Sequence, residues 1–230
     1  MEMDNTFWDR SIFRGISEES KKAIEKLNKK EVTYDSNTMI IREGQEIKYF
    51  AIIIEGVLKS TEYTSSGKEL NSSYFFAKEQ HSSYYFAGDA FPFYLIYGGV
   101  KNYFFNVLAL KKSRVVWLPV DELKEIIDKD PVFLHNILQF VAKYNCYSKV
   151  LLRGVQYRRV VERLSYWLIY MNNSDELIEI PNSQEVLADM LHVNRSSLNQ
   201  ELVQLDKDGI IQFNRKSIRV LDKEYLESLL

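Results

Sequence analysis

The chain has 230 residues, 46% of them hydrophobic, and its 30 Lys and Arg against 32 Asp and Glu leave a net charge of −2. That length suits one large domain or two modest ones, no apolar run is long enough to span a membrane, and the charge gives none of the general basic excess common in DNA-binding domains. One cysteine, Cys146, excludes an intrachain disulfide, a zinc thiolate cage and an iron–sulfur cluster, and His81, His135 and His192 are too scattered for a metal-enzyme site.

Residues 1–7 carry neither a basic region nor an apolar stretch, so no signal peptide is expected, and the single thiol fits a reducing cytoplasm. A short helix with acidic residues in its first turn starts at Ser17. From residue 31 to 120 the pattern is β-rich. Thr38–Arg42, Tyr49–Ile54, Val57–Tyr63 and Leu70–Phe76 read as strands, with turns at Gly44, Gly56, Gly67 and Gly88. Short strands at this spacing predict a sandwich or barrel, and Gly67 marks a hairpin.

Ten aromatic rings fall between Tyr84 and Phe105, and two readings stand. The rings fill a β-domain core or its contact with a helix. Alternatively Phe86, Phe91, Phe93, Tyr94, Tyr97 and Tyr103 line an effector pocket for a small apolar or aromatic molecule, oriented by tyrosine hydroxyls.

At Asp130 the period changes. Asp130-Pro131 is an N-cap followed by proline at the first helical position. Phe133, Ile137, Phe140, Tyr144, Tyr147 and Leu151 then recur four and three apart, a seam that predicts dimerisation while Leu134, Leu138 and Val141 cover the β-domain. The same seam also fits a helix buried within one chain. Gly154 ends or bends this helix, and a further helix over Val160–Met171 follows. Arg153, Arg158, Arg159 and Arg163 read as a solvated face.

Residues 182–221 carry the most specific signal. Asn182 is placed to cap a helix, with Glu185 as its reciprocal partner, and Leu187, Ala188 and Leu191 share one face. His192-Val193 makes a turn, and Asn194 is a suitable N-cap for a second helix that buries Leu198, Leu202 and Leu205. Two short helices joined in this way, with a small Ala where they cross, predict a helix-turn-helix. A hairpin follows, Ile210–Phe213 and Ser217–Leu221, with Asn214-Arg215-Lys216 at its tip: the wing of a winged helix. DNA-binding candidates are Arg195, Ser196, Ser197, Asn199 and Gln200 on the second helix, and Arg215 and Lys216 for phosphates. From Arg153 onward the chain has ten Lys and Arg against twelve Asp and Glu, so DNA affinity must come from local placement of charge.

These parts in this order resemble the CRP/FNR family of bacterial transcription regulators, over about residues 15 to 221. The resemblance is carried by Ile41-Arg-Glu-Gly-Gln with Tyr49–Gly56, by Gly67-Lys-Glu, by Ala87-Gly-Asp, and by Leu187–Arg195. It implies an α+β fold with a double-stranded β-helix (β-roll) sensor domain over residues 1–130, a dimerisation helix over 131–154 and a winged helix-turn-helix over 155–230. It further implies a cytoplasmic homodimer that binds an inverted repeat in double-stranded DNA, and, for an activator, contact with RNA polymerase.

Departures narrow the expectation. Members that bind cyclic AMP hold its ribose with a Glu and its phosphate with an Arg after the Gly-Asp. Here residues 90–110 contain no acid and only Lys101, so cyclic AMP is not expected. The cluster-binding members need several cysteines, and haem has only His81 as a candidate ligand in the β-domain; neither cofactor is expected. The family commonly reads bases with an Arg, the acid after it, and an Arg five positions on. Arg195 matches, Ser196 and Gln200 do not, which predicts A·T pairs opposite Asn199 or Gln200 and Arg195 on guanine or phosphate. His192 stands where the family turn usually has Gly and is expected either to strain that turn slightly or simply to accept left-handed backbone. An enzyme is not expected, for want of clustered His or paired carboxylates. The regulator is either effector-switched or constitutive, and the alternative is a module that kept the fold and lost DNA binding.

Overall fold

The chain begins with helical pieces in the computed structural model, which describes residues 5–63, 69–70, 84–171 and 177–230. Helix α1 (Asn5–Trp8), a 3-10 turn (Ser11–Phe13) and α2 (Glu18–Lys26) precede the strands. Ser17 caps α2 by accepting from Ser20 N–H, and Glu18 and Glu19 occupy the first turn, as the sequence predicts.

Strands β1 (Lys30–Tyr34), β2 (Met39–Ile41), β3 (Tyr49–Glu55), β4 (Val57–Tyr63), β5 (Glu69–Leu70), β6 (Tyr84–Phe86) and β7 (Ala90–Phe91) follow, then α3 (Phe93–Tyr97), β8 (Asn106–Ala109) and β9 (Ser113–Pro119). They form two antiparallel sheets. One runs β1-β9-β3-β7; the other runs β2-β8-β4-β5, with β6 also on β4. The expected strand over Leu70–Phe76 is seen only at its start, and the Gly67 hairpin and His81 lie outside the described residues.

Alternation along the central strands explains their unbroken apolar sequence. Phe50 and Ile52 of β3, with Val116 and Leu118 of β9, face one core; Ala51 and Ile53, with Val115 and Trp117, face another. A strand buried on both faces has no polar side to display. The first core is closed by α1, α2 and α4 (Val120–Lys129), and the second lies between the sheets. Gly56 makes the β3–β4 turn possible: its φ is +97°, and a Cβ there would stand 2.6 Å from Ser113 Cα. The Ser113 hydroxyl in turn accepts from Val57 N–H and donates to Lys111 C=O.

Helix α5 (Pro131–Gly154) starts as the sequence predicts, with Asp130 Oδ1 accepting from Val132 and Phe133 N–H at 3.0 and 3.1 Å. The chain divides into two units, and the boundary falls inside α5, between Asn145 and Cys146. Among the described residues no helix is long and apolar enough to cross a membrane.

The seam on α5 is corrected. Phe133 and Ile137 are 0% and 2% exposed and belong to the core of the first unit, Phe140 packs against it, and Tyr144 packs into the inter-sheet core. Tyr147 and Leu151 pack within the second unit, where the Tyr147 hydroxyl accepts from Trp167 Nε1 and Leu151 abuts its core. These six side chains therefore face their own chain. Leu134 and Leu138, expected to cover the β-domain, are 43% and 65% exposed instead; Val141 does pack inward.

In the second unit, α6 (Val160–Met171), β10 (Ile178–Glu179), α7 (Gln184–Met190), α8 (Arg195–Lys207), β11 (Ile211–Phe213), β12 (Ser217–Val220) and α9 (Lys223–Ser228) surround one core. Strand β10, which the sequence reading did not include, pairs with β12 and widens the wing to three strands in the order β10-β12-β11.

Candidate nucleic-acid interface

The core of the second unit fixes how its helices present themselves. Leu164, Trp167 and Leu168 of α6, Leu187 and Ala188 of α7, Leu191 just beyond it, and Leu198, Leu202 and Leu205 of α8 are all buried together. Ala188 is small enough to let the chain return over it, and its carbonyl accepts from Val193 N–H at 2.9 Å.

The entry to α7 differs from expectation by one residue. Ser183 is the cap, its hydroxyl accepting from Val186 N–H at 3.2 Å. Asn182 precedes it in left-handed backbone, φ +58°. Glu185 consequently sits at the second helical position rather than the third, where a capping box needs its acid, and Val186 takes that place. Asn194 does occupy the N-cap position of α8, but its side chain makes no capping bond. His192 adopts φ +53°, in left-handed backbone.

With one face of α8 in the core, the opposite face is settled by helical period. Arg195, Ser196, Asn199 and Gln200 are exposed, while Ser197 is half-buried. Val203, 46% exposed, continues the same stripe one turn on. Its apolar branch is suited to a thymine methyl, a role residue type alone did not suggest.

The wing is held by short-range bonds. Asn214 Oδ1 accepts from Lys216 and Ser217 N–H at 2.8 and 3.0 Å, closing the tip so that Arg215 and Lys216 are both exposed. Strand β12 adds exposed Arg219, opposite exposed Gln212 on β11. Asp206 near the end of α8 accepts from Phe213 N–H at 3.2 Å, linking the helix directly to the wing. An exposed polar helix face and a cation-bearing hairpin thus occupy one small unit, the elements needed to read base edges and grip phosphates.

The four arginines read as a solvated face do not behave alike. Arg159 pairs with Glu162 at 2.7 Å, and that carboxylate, which also accepts from Arg158 and Arg159 N–H, titrates below its ordinary range because of these bonds. The Arg153 guanidinium lies over the Tyr166 ring. Arg163 is half-buried and donates to Tyr157 C=O before α6 and to Leu191 and His192 C=O in the helix-turn-helix.

The six proposed pocket aromatics do not gather around one space. Phe91 and Tyr103 belong to the inter-sheet core with Tyr94 packed beside it, and Phe93 belongs to the other core. Phe86 is half-buried and stacks with Tyr84, and Tyr97 is 40% exposed with Lys124 over its ring. Tyr85 stacks on Phe91 at 4.5 Å, and Tyr144 lies parallel to both Tyr85 and Tyr94 at 6.4 and 6.2 Å. Burial raises the Tyr85 hydroxyl to about 12. Phe91, Phe93, Tyr94 and Tyr103 pack in or against the cores, while Phe86 and Tyr97 stay partly exposed. A cleft of about 190 Å³ in the first unit is lined by Lys30, Val32, Tyr34, Tyr49, Trp117 and neighbours, and of the six only Tyr103 reaches it.

Residues 162–229 match the Crp-like helix-turn-helix domain. Most of the chain is similar in fold to solved structures at low identity. FixK2 from Bradyrhizobium japonicum shares 18% identity at TM-score 0.61, over 88% of this chain and 98% of that one. A mutant CooA from Carboxydothermus hydrogenoformans shares 16% at 0.63, over 93% and 90%. A protein from Eubacterium rectale described as a transcriptional regulator of the crp/fnr family shares 16% at 0.54, over 95% and 96%. No curated protein sequence matches the chain.

Proposed function

We propose that the chain is a CRP/FNR-type regulator and that it acts as a homodimer recognising an inverted repeat in duplex DNA, a reading supported by its Crp-like helix-turn-helix match and by the fold it shares with FixK2. The observation that carries this reading is the exposed stripe Arg195, Ser196, Asn199, Gln200 on α8, set in the same unit as the Arg215–Lys216 wing tip. Asn199 and Gln200 have the paired donor and acceptor that adenine N6 and N7 require, and Arg195 suits guanine or a phosphate. Ser196 and Ser197 are short enough to donate to the backbone at the start of the helix, and Arg215 and Lys216 hold phosphates without reading sequence.

Dimerisation would use the face of α5 that its own chain leaves open. Leu134, Leu138, Ala142 and Asn145 are exposed at spacings of four, four and three. A polar Asn in an apolar seam fixes register at some cost in stability. The expected packing of the aromatic cluster favours a regulator competent without a bound molecule over one with an apolar pocket among those rings. For activation, a surface contacting RNA polymerase would be required as well.

The test is selection of bound duplexes from a random pool by the purified, ligand-free protein. An enriched inverted repeat, bound with an affinity that falls steeply with salt, is expected. The acidic balance of residues 153–230 favours one second reading, a module without DNA binding. No enrichment and no salt-dependent association, either ligand-free or with cell extract added, would establish that reading instead, whereas enrichment only with extract would mean a ground state awaiting its effector.

A further inference from the structure

The turn between α7 and α8 ends one helix and aims the next, yet it contains no glycine and holds His192 at φ +53°. The carbonyls of Leu191 and His192, just past the end of α7, have no partner within the helix, the usual condition at a helix C-terminus. Arg163, on the first turn of α6, supplies one. Its Nη1 donates to Leu191 C=O at 3.2 Å and to His192 C=O at 2.8 Å, while Nε donates to Tyr157 C=O at 2.8 Å, just before α6 begins.

We infer that Arg163 is a positioning residue for DNA recognition: its guanidinium clamps the Leu191–His192 turn to the start of α6 and so sets the direction of α8. The inference rests on the DNA-binding reading above. Three bonds from one planar group constrain both position and angle, which the point charge of a Lys on a flexible stem does not. A cation there also meets the negative end of α7. The lever is short, since Arg195 stands only three residues beyond His192 and reads DNA from the first helical position. Base-edge contacts tolerate displacements of only about 0.5 Å, so a turn that relaxes misplaces Arg195, Asn199 and Gln200 together. Phosphate contacts tolerate more, because a Lys or Arg on the wing can follow its target.

The experiment compares full-length wild type, Arg163→Gln and Arg163→Lys on the selected operator and on a scrambled duplex, across a salt series, below each variant's melting temperature. Hydrogen exchange at the Val193 amide, which donates to Ala188 C=O across the turn, is read on the same samples. The clamp predicts that Arg163→Gln weakens operator binding roughly tenfold or more, leaves scrambled-duplex affinity and salt slope nearly unchanged, and speeds Val193 exchange selectively; Arg163→Lys falls between. Equal losses on both duplexes with the salt slope reduced by about 1 would make Arg163 a phosphate contact and overturn the clamp. Unchanged operator affinity would overturn it too. If wild type binds neither duplex, the DNA-binding reading fails on its own, and unaltered Val193 exchange in Arg163→Gln would separately sink the clamp.

Discussion

Asp130 and Asp89 show how one residue type serves opposite ends by placement. Asp130 is buried, which alone would raise its carboxyl, but bonds from Ser17 N–H, the Ser20 hydroxyl and Phe133 N–H outweigh burial and hold it at about 2. Its folded value lies below the ordinary 3.8, so the stability it contributes is complete above that value and is lost as pH falls towards 2. Asp89 is the reverse. Burial pushes it up to about 6 against a single bond from Phe86 N–H, so its charge opposes folding above pH 6, and stability rises as pH drops from there towards 3.8. Melting curves from pH 2 to 7 should therefore show Asp130→Ala losing about 1–3 kcal/mol at neutral pH and converging on wild type in acid. Asp89→Asn should flatten the rise between pH 6 and 4; a wild-type curve with no such rise would refute the assignment. At the interface, Gln200→Ala should cost about 1–3 kcal/mol on the operator and relax one base position in repeated selection. Loss spread evenly over all sequences would move Gln200 to the backbone. Single residues with local partners were the legible ones: Asp130-Pro131 announces a helix start because cap and partner amides are adjacent in sequence. Ser183 and Asn182 were not separable, since both side chains cap well and only the backbone angle at Asn182 decides. Arg163 was invisible because its two acceptors in the helix-turn-helix lie 28 and 29 residues away.

Among elements, the strands and the helix-turn-helix were readable because their burial follows a period, whereas α5 was readable only as a helix. It bears two apolar stripes about 100° apart, and period alone does not say which one meets its own chain. Size decides. The stripe of Phe133, Ile137, Phe140 and Tyr144 has more area to remove from water than Leu134 and Leu138, so it takes the partner already present in the chain. The aromatic segment is the same case: rings crowded in sequence are distributed by a change of element, Phe91 ending β7 in one core and Phe93 opening α3 in the other, and a roll of aromatics does not make a pocket. The wing was legible from its polar tip, and its function can be isolated there. Arg215→Ala with Lys216→Ala removes two exposed cations from a turn whose closure depends on Asn214 rather than on them. The double variant should keep its melting temperature, weaken operator and scrambled duplex alike, and reduce the salt slope by about 2. A change in base preference would show that the tip reads sequence.

For the molecule as a whole, the proposed DNA-binding role would make pairing decisive, because the second unit carries little net charge. Ten cations against twelve acids from residue 153 onward offer one recognition unit little electrostatic attraction, so a single half-site should hold it poorly. Joining two units converts the second contact into an intramolecular event and multiplies affinity by roughly 10²–10⁴ without any new DNA contact. The open face of α5 is where that joining can be broken cleanly. Leu138 is 65% exposed, so Leu138→Glu leaves both cores intact, while Phe133→Ala would empty a fully buried site and unfold the first unit rather than dissociate anything. Sedimentation of Leu138→Glu should show a folded monomer with wild-type melting at low concentration. On the inverted repeat it should lose at least about a hundredfold in affinity, and on an isolated half-site it should bind as wild type does. A variant that stays dimeric would place the interface elsewhere on the chain. A monomer that still binds the full repeat as tightly as wild type would mean that each unit carries its affinity alone, and the near-neutral charge would then have to be offset entirely by base contacts from α8.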